Sequence, residues 1–377
     1  MREGYYSFLR LKDYGDLMDE LMNSDTFSYS QLKAKYGGFR NPCCAVKAGN
    51  TDIQTLGLLV SQMEIRQTIK DKAGTCTFVI SNGYDFVSGS FKDEIADNFP
   101  LGQTVEAGMG YIKPVYMFKG FVTDVSFTFE NGGSPGVRIS CTDIRSLMMQ
   151  GKLNAKPLIA SFPLMMYMIL ETYTSILKMK IVYYDIWNIL EDFRQNTNDF
   201  NYLYSYGVKR GYEFFVLGDY FYFRKKWENT APLMHLKWGE SIISFNRATS
   251  YSSNKLIGAL NGLLSVFPFF SENMLTPQGY PHKTATPRIP QIKVDTSNAK
   301  NPADLVNIMM TSLHNLNDSM SPGTVKCVGI PEIIPGRYIR LTGLDKNYFD
   351  GDYYIEEVTH SLSSGGYITS LVIGSGK

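Results

Sequence analysis

The sequence predicts an α+β fold that is predominantly β, with β-rich blocks at both ends of the chain and a smaller α+β block inserted between them. Three observations carry this. Runs rich in Val, Thr, Tyr and Phe, punctuated by Gly and Asn turn signals, fill residues 57–142 and 324–373. Apolar stretches with helix-start signals fall between 143 and 250. The 377 residues include 25 Tyr, 23 Phe and 33 Gly, a usage that suits strands joined by tight turns.

Residues 1–37 form a segment of open role, in which Leu17, Leu21 and Met22 suggest one face of a short helix. The first β block runs over 38–145, with strands expected at 58–66, 76–80, 104–111, 115–129 and 137–141. Asn82-Gly83, Gly102 and Asn131-Gly132-Gly133 mark turns between them. A small antiparallel barrel or sandwich is the natural reading. The α+β block, 146–249, opens a helix at Pro163 that continues to Leu177. A second helix starts at Thr197 or Asn198, sets Phe200, Leu203, Tyr204 and Val208 on one face, and stops at Gly211. It feeds a hairpin, 212–216 and 220–224. Residues 250–300 carry five prolines and read as linker or functional loop. The last block, 301–377, starts with a helix at Asn301-Pro302-Ala303-Asp304, striped by Leu305, Ile308, Met309, Leu313 and Leu316. It returns to strand at 324–329, 338–342, 353–360 and 367–373.

Charge and composition narrow the function. Lys+Arg is 37 against Asp+Glu 36, and charged residues make up 19%, so there is no basic excess of the kind a nucleic-acid binder or a polybasic membrane anchor shows. Low charge with many aromatics instead fits a protein that buries surface against partners. The five cysteines (Cys43, Cys44, Cys76, Cys141, Cys327) show no zinc or disulfide spacing and read as small buried residues. The N-terminus lacks the apolar core of a secretory signal. The apolar run Leu256 to Phe270 is broken by Asn261, Ser265 and Pro268 and is too short to cross a bilayer, so no integral membrane segment is expected.

Catalytic, cofactor and metal motifs are not found. His-Glu-x-x-His and the Walker A pattern are missing, and Gly108-Met109-Gly110 lacks the third glycine of a dinucleotide loop. His235, His282, His314 and His360 lie far apart. The carboxylate pairs Asp93-Glu94 and Glu191-Asp192 read as solvated faces and the tyrosines of 202–206 as core. The expectation is a protein that is not an enzyme, with no catalytic, cofactor-binding or metal residues.

Three segments resemble one family. The first is Leu101 to Tyr111 followed by Met117-Phe118-Lys119-Gly120-Phe121-Val122, with Cys141-Thr142-Asp143 leading to Leu147. The second is Asp199-Phe200-Asn201-Tyr202-Leu203 through Gly211-Tyr212-Glu213-Phe214-Phe215-Val216 and Tyr220-Phe221-Tyr222-Phe223. The third runs from Gly329-Ile330-Pro331 through Ile334-Pro335-Gly336-Arg337-Tyr338-Ile339 and Phe349-Asp350-Gly351-Asp352-Tyr353-Tyr354-Ile355 to Val358-Thr359-His360-Ser361 and Gly366-Tyr367. In order and spacing these are similar to the baseplate hub, or phage late control D, proteins of contractile tails, which include the hub portion of the type VI secretion spike protein (VgrG). The match spans roughly residues 55 to 377.

That resemblance implies two tube-like β-barrel domains separated by an inserted α+β domain, assembling as a pseudo-hexameric homotrimer. It implies a structural hub that joins the hexameric inner tail tube to a trimeric spike, among other baseplate proteins, in a phage tail, tailocin or related particle. Synthesis is expected in the cytoplasm, followed by incorporation into the particle. The chain ends at Gly374-Ser375-Gly376-Lys377, soon after the second barrel, so the spike is expected to be a separate polypeptide. Two other readings stay open: a tail-associated cell-wall hydrolase and a carbohydrate-binding tail component. The loop-like 250–300 segment either plugs the channel or grips the spike, or is an ordinary crossing between domains.

Overall fold

The computed structural model describes residues 21–248 and 323–376, apart from short stretches at 24–25, 130, 132, 153–157, 178, 184–189, 194, 209–210 and 227–228. The sequence readings at Leu17, at 250–300 and for the helix from Asn301 lie outside the described residues.

The first β block contains β1 (Pro42–Ala48), β2 (Val60–Thr68), β3 (Thr75–Ile80), β4 (Thr104–Tyr111), β5 (Lys113–Thr128) and β6 (Gly136–Thr142). A short helix, α1 (Tyr29–Lys35), precedes them, and α2 (Asp93–Asn98) lies between β3 and β4. After β6 come α3 (Arg145–Gln150), β7 (Leu158–Ser161), α4 (Phe162–Leu177), β8 (Lys180–Tyr183), β9 (Leu190–Phe193), α5 (Asp199–Val208), β10 (Tyr212–Leu217) and β11 (Tyr220–Lys225). The remaining strands are β12 (Pro232–Lys237), β13 (Ile242–Arg247), β14 (Gly323–Val328), β15 (Tyr338–Thr342), β16 (Gly351–Ser363) and β17 (Gly366–Gly376).

Local chemistry explains the middle block. Asn198 caps α5 by accepting the Asn201 N–H at 2.8 Å, and Gly211, at φ 80°, follows its end. In α4 the buried residues Phe162, Met165, Met166, Ile169, Leu170, Tyr173 and Leu177 recur at helical spacing. They join Phe200, Leu203, Phe214, Phe221 and Phe223 in one core, while a second core runs through both β blocks. The β10–β11 hairpin turns at Gly218-Asp219, with Gly218 at φ 54°.

Among the described residues the two β blocks form one continuous thirteen-stranded sheet, counting a two-residue strand, Thr51–Asp52, that pairs with β1. Strands β12 and β13, which composition groups with the inserted block 146–249, belong instead to the second β unit: β12 pairs with β15 and β13 with β14. The inserted block therefore ends near Lys225, and the second unit begins at Pro232 rather than at 301. Strand β1 was not anticipated; it pairs along its whole length with β4.

With that correction the units share one strand order. The first runs β1-β4-β5-β6-β3-β2 and the second β12-β15-β16-β17-β14-β13, the same path through six sequential strands. The likeness extends to single residues. In the first unit Gly102 N–H donates to the Val122 carbonyl at 2.8 Å, and Val122 N–H to Gln103 at 2.9 Å. In the second, Gly336 donates to Ile355 at 2.8 Å and Ile355 to Arg337 at 2.9 Å. Both glycines adopt positive φ, 85° and 82°. A bulge falls between Val122 and Asp124 in β5 and between Ile355 and Glu357 in β16. Another falls between Val60 and Gln62 in β2 and between Ile242 and Ser244 in β13. Even the cross-strand ion pair recurs with its sign inverted: Glu106–Lys119 at 3.6 Å and Arg340–Asp352 at 2.6 Å. One departure stands out: β1 is antiparallel to β4, whereas β12 is parallel to β15.

These turn glycines separate conformational from packing cost. A Cβ at Gly102 meets nothing within 4 Å, whereas one at Gly336 lies 2.9 Å from Arg224 Nη2 and 3.3 Å from Phe215 Cζ. Gly102→Ala should cost about 1 kcal/mol, from the left-handed backbone alone. Gly336→Ala should cost roughly 2–3 kcal/mol, since buried neighbours must also move. Urea unfolding of both variants checks this; equal losses would contradict it.

Candidate assembly surface

The intrachain junction between the two units shows how their edges recognise each other. β2 pairs antiparallel with the C-terminal half of β16, from Thr68 opposite Glu357 to Met63 opposite Leu362. Ion pairs lace it: Glu357 meets Arg66 at 2.6 Å and Lys72 at 2.6 Å, and Glu356 meets Lys70 at 2.8 Å. Burial works against the charge on Glu357, but Lys72 and Arg66 outweigh it and hold its carboxyl below the usual range. His360 sits inside this half of β16, fully buried. Its Nδ1 lies 2.7 Å from Tyr367 Oη and 3.2 Å from Thr369 Oγ1, and Nε2 lies 3.1 Å from the Ile333 carbonyl. Burial depresses its pKa to about 4.

The inserted block is fastened to the second unit by a buried polar cluster. Glu213 on β10 accepts from Arg224 Nε at 2.9 Å and from Tyr354 Oη at 2.8 Å. Arg224 also donates to the Gly336 carbonyl in the repeated turn. Burial opposes the Arg224 charge, yet Glu213 and Tyr354 more than offset it and shift its pKa upward. At the exit of β6, Asp143 accepts the Gly74 N–H at 2.7 Å and an Arg145 Nη2 at 2.6 Å. Arg145 Nη1 in turn donates to the Thr68 carbonyl at 2.7 Å. Asp143 and Arg145 are both buried, which gives the Asp of the hub-like motif a structural task. Near the N-terminus, buried Glu332 binds Lys35 at 2.9 Å and Tyr36 at 2.5 Å, tying the α1 region to the second unit.

Open edges remain. Among the described residues β13 pairs with no strand other than β14, apart from an isolated bridge between Ile242 and Trp238, and the half of β5 beyond Val122 pairs only with β6. Exposed apolar side chains accompany these edges: Ile243 on β13, and Phe127 and Phe129 at the end of β5. Phe127 and Phe129 both pack on Phe91, at 4.7 and 5.5 Å, and Phe129 also packs on Tyr84, at 5.7 Å. Helix α4 turns Leu164, Tyr167 and Ile176 outward. Such surfaces are typical of chains that pack against partners.

The residues weighed for chemistry are placed as follows where they are described. Gly108 and Gly110 let β4 approach β5, since a Cβ would lie 2.4 Å from the Val115 carbonyl and 2.8 Å from that of Lys113. Asp93 and Glu94 begin α2 and are exposed, suiting the positive end of the helix. Glu191 and Asp192 lie on β9, in register with Ala160 and Ile159. Tyr202 is buried, and Tyr204 stacks on Phe200 at 5.4 Å. His235 is exposed on β12, while His282 and His314 lie outside the described residues. The five cysteines are free thiols. Cys76 and Cys141, opposite each other on β3 and β6, are buried, and burial raises both thiol pKa values. Among the described residues no group of three or more His, Cys, Asp or Glu could hold a metal ion, and no helix is long and apolar enough to cross a membrane.

No protein-family model and no curated protein matches the sequence. Solved structures do match. The chain resembles a tail protein from Neisseria meningitidis MC58 at 13% identity and TM-score 0.62, covering 89% of this chain and 96% of that one. It resembles the 43 kDa tail protein of prophage MuSo2 from Shewanella oneidensis at 11% identity and TM-score 0.64, covering 88% and 98%. An E. coli component of the type VI secretion system, itself described as similar to bacteriophage T4 tail proteins, matches at 11% identity and TM-score 0.53, covering 85% of this chain and 74% of that one. The chain therefore has the fold of phage tail proteins and of the type VI secretion component, the baseplate-hub, VgrG-like fold that its sequence motifs resemble.

Proposed function

We propose that the chain is a structural baseplate hub of a contractile injection particle, without catalytic turnover. Three copies form a ring of six β units that seats the hexameric tail tube on one face and a trimeric spike on the other. One observation carries this reading: each chain contains two β units with the same strand order, bulges and turn. A cyclic trimer of such chains offers six near-equivalent positions to a sixfold partner while keeping threefold symmetry for a threefold one. Low charge and a high aromatic content suit the large interfaces this needs.

The purified protein is expected to have three times the 42.6 kDa chain mass, alone or on addition of its spike partner, by light scattering or native mass spectrometry. A protein that stays monomeric in both conditions contradicts the proposal. Peptidoglycan zymography should show no clearing; clearing would favour a tail-associated hydrolase instead.

A further inference from the structure

The internal repeat specifies which edges meet between copies. Superposing the paired registers makes Leu362 of β16 equivalent to Phe129, Ser361 to Thr128 and Thr359 to Ser126 of the β5 segment. The same superposition makes Met63 of β2 equivalent to Phe245, Glu64 to Asn246 and Arg66 to Ala248 of the β13 segment. Within the chain, β2 adds to β16 with Met63 opposite Leu362 and Glu64 opposite Ser361. The equivalent partners, β13 at the end of the strand order and the end of β5 in the other unit, do not pair with each other within the chain, and among the described residues neither edge has a second strand beside it.

We infer that β13 of one copy adds antiparallel to the β5 edge of the next copy, with Phe245 opposite Phe129, Asn246 opposite Thr128 and Ala248 opposite Ser126. The inference rests on the ring reading above and supplies its contact. Two unlike edges make a head-to-tail interface, the kind that closes a ring when each step turns by a constant angle. An unpaired strand edge is a ready template for a further strand, and the exposure of side chains agrees with one being added. At the intrachain junction His360 is 0% exposed and Leu362 is half-buried, whereas their counterparts Phe127 and Phe129 are 51% and 65% exposed. Asn246 and Thr128 are both exposed, so each can be changed without touching the core.

The test is oxidation of the full-length Thr128→Cys/Asn246→Cys double variant, with its native mass measured beforehand. Wild type serves as the control for the half-buried Cys43 and Cys44. The expected result is a covalent trimer on non-reducing gels. Each single variant should stay uncrosslinked, and a reassembled mixture of the two single variants should give covalent dimers but no larger species. A threefold native mass with no crosslink overturns this edge pairing and leaves the ring reading standing. A monomeric native mass, with or without the spike partner, overturns both. A dimer crosslinked twice, with no trimer, would show the edges meeting in a closed pair and overturn the ring contact.

Discussion

Replacing Glu213 with alanine is expected to destabilise the fold by about 3–5 kcal/mol, the cost of stranding a buried charge. Glu213 is the acceptor for both Arg224 and Tyr354, and all three are buried. Without it, the Arg224 guanidinium keeps its bond to the Gly336 carbonyl but has no countercharge in this cluster. The charge cannot be shed by deprotonation, because arginine stays protonated in proteins. The control is Glu213→Leu/Arg224→Met/Tyr354→Phe, which removes all three polar side chains, leaves only the Gly336 carbonyl without its donor, and should lie closer to wild type, as apolar replacements of buried ion pairs commonly do. Urea unfolding of both variants checks the account. A single variant within about 1 kcal/mol of wild type would mean that the inserted block is not fastened through this cluster.

The second large effect is a pH dependence centred on His360. Its folded pKa is depressed to about 4 from an ordinary 6.5, because burial penalises the imidazolium and the hydrogen bond to the Ile333 carbonyl only partly opposes this. The unfolded chain therefore takes up a proton that the folded chain refuses. The stabilisation is fully present above about pH 6.5 and is lost as pH falls toward 4. The whole shift corresponds to roughly 3 kcal/mol, of which about 2 kcal/mol should be gone by pH 5. Carboxylates such as Glu357, held below their usual range, add their own loss only at lower pH. Unfolding measured between pH 7.5 and 5 therefore separates the histidine range from that of the carboxylates. The His360→Gln variant should be less stable at pH 7.5 and should show a much flatter profile; an unchanged slope would assign the dependence elsewhere.

Much of the fold was legible in the sequence because it is locally encoded. The Asn198 cap, the Gly211 stop and the hairpin at Gly218-Asp219 are written in neighbouring residues, and each is found where the pattern puts it. Strand β1 was missed because Pro-Cys-Cys-Ala-Val-Lys-Ala has little β-branched character; it is a strand through its pairing with β4. The membership of β12 and β13 in the second unit depends on pairing across about a hundred residues in the case of β12, which no local signal reports. The repeat itself is hidden because the units share pleat positions, bulges and a turn glycine rather than residue identity. Inverting the ion pair Glu106–Lys119 into Arg340–Asp352 preserves the interaction and erases the resemblance.

The polar cluster left a clue. A glutamate inside the otherwise apolar strand Tyr212–Leu217 requires a buried partner, since an unpaired charge there would be costly. Its partners, Arg224 on the adjacent strand and Tyr354 more than a hundred residues away, could be assigned only once the strands were paired. The open edges left no such clue, because an edge is defined by what lies beside a strand rather than by what it contains.

The central claim is that two like units per chain let a threefold assembly present sixfold geometry. Electron-microscopy class averages of the purified assembly, viewed down its axis, test this most directly. The account predicts six lobes of similar size around an open channel, alternating subtly so that the true symmetry is threefold. A ring with three lobes, or a closed particle with no channel, would contradict it.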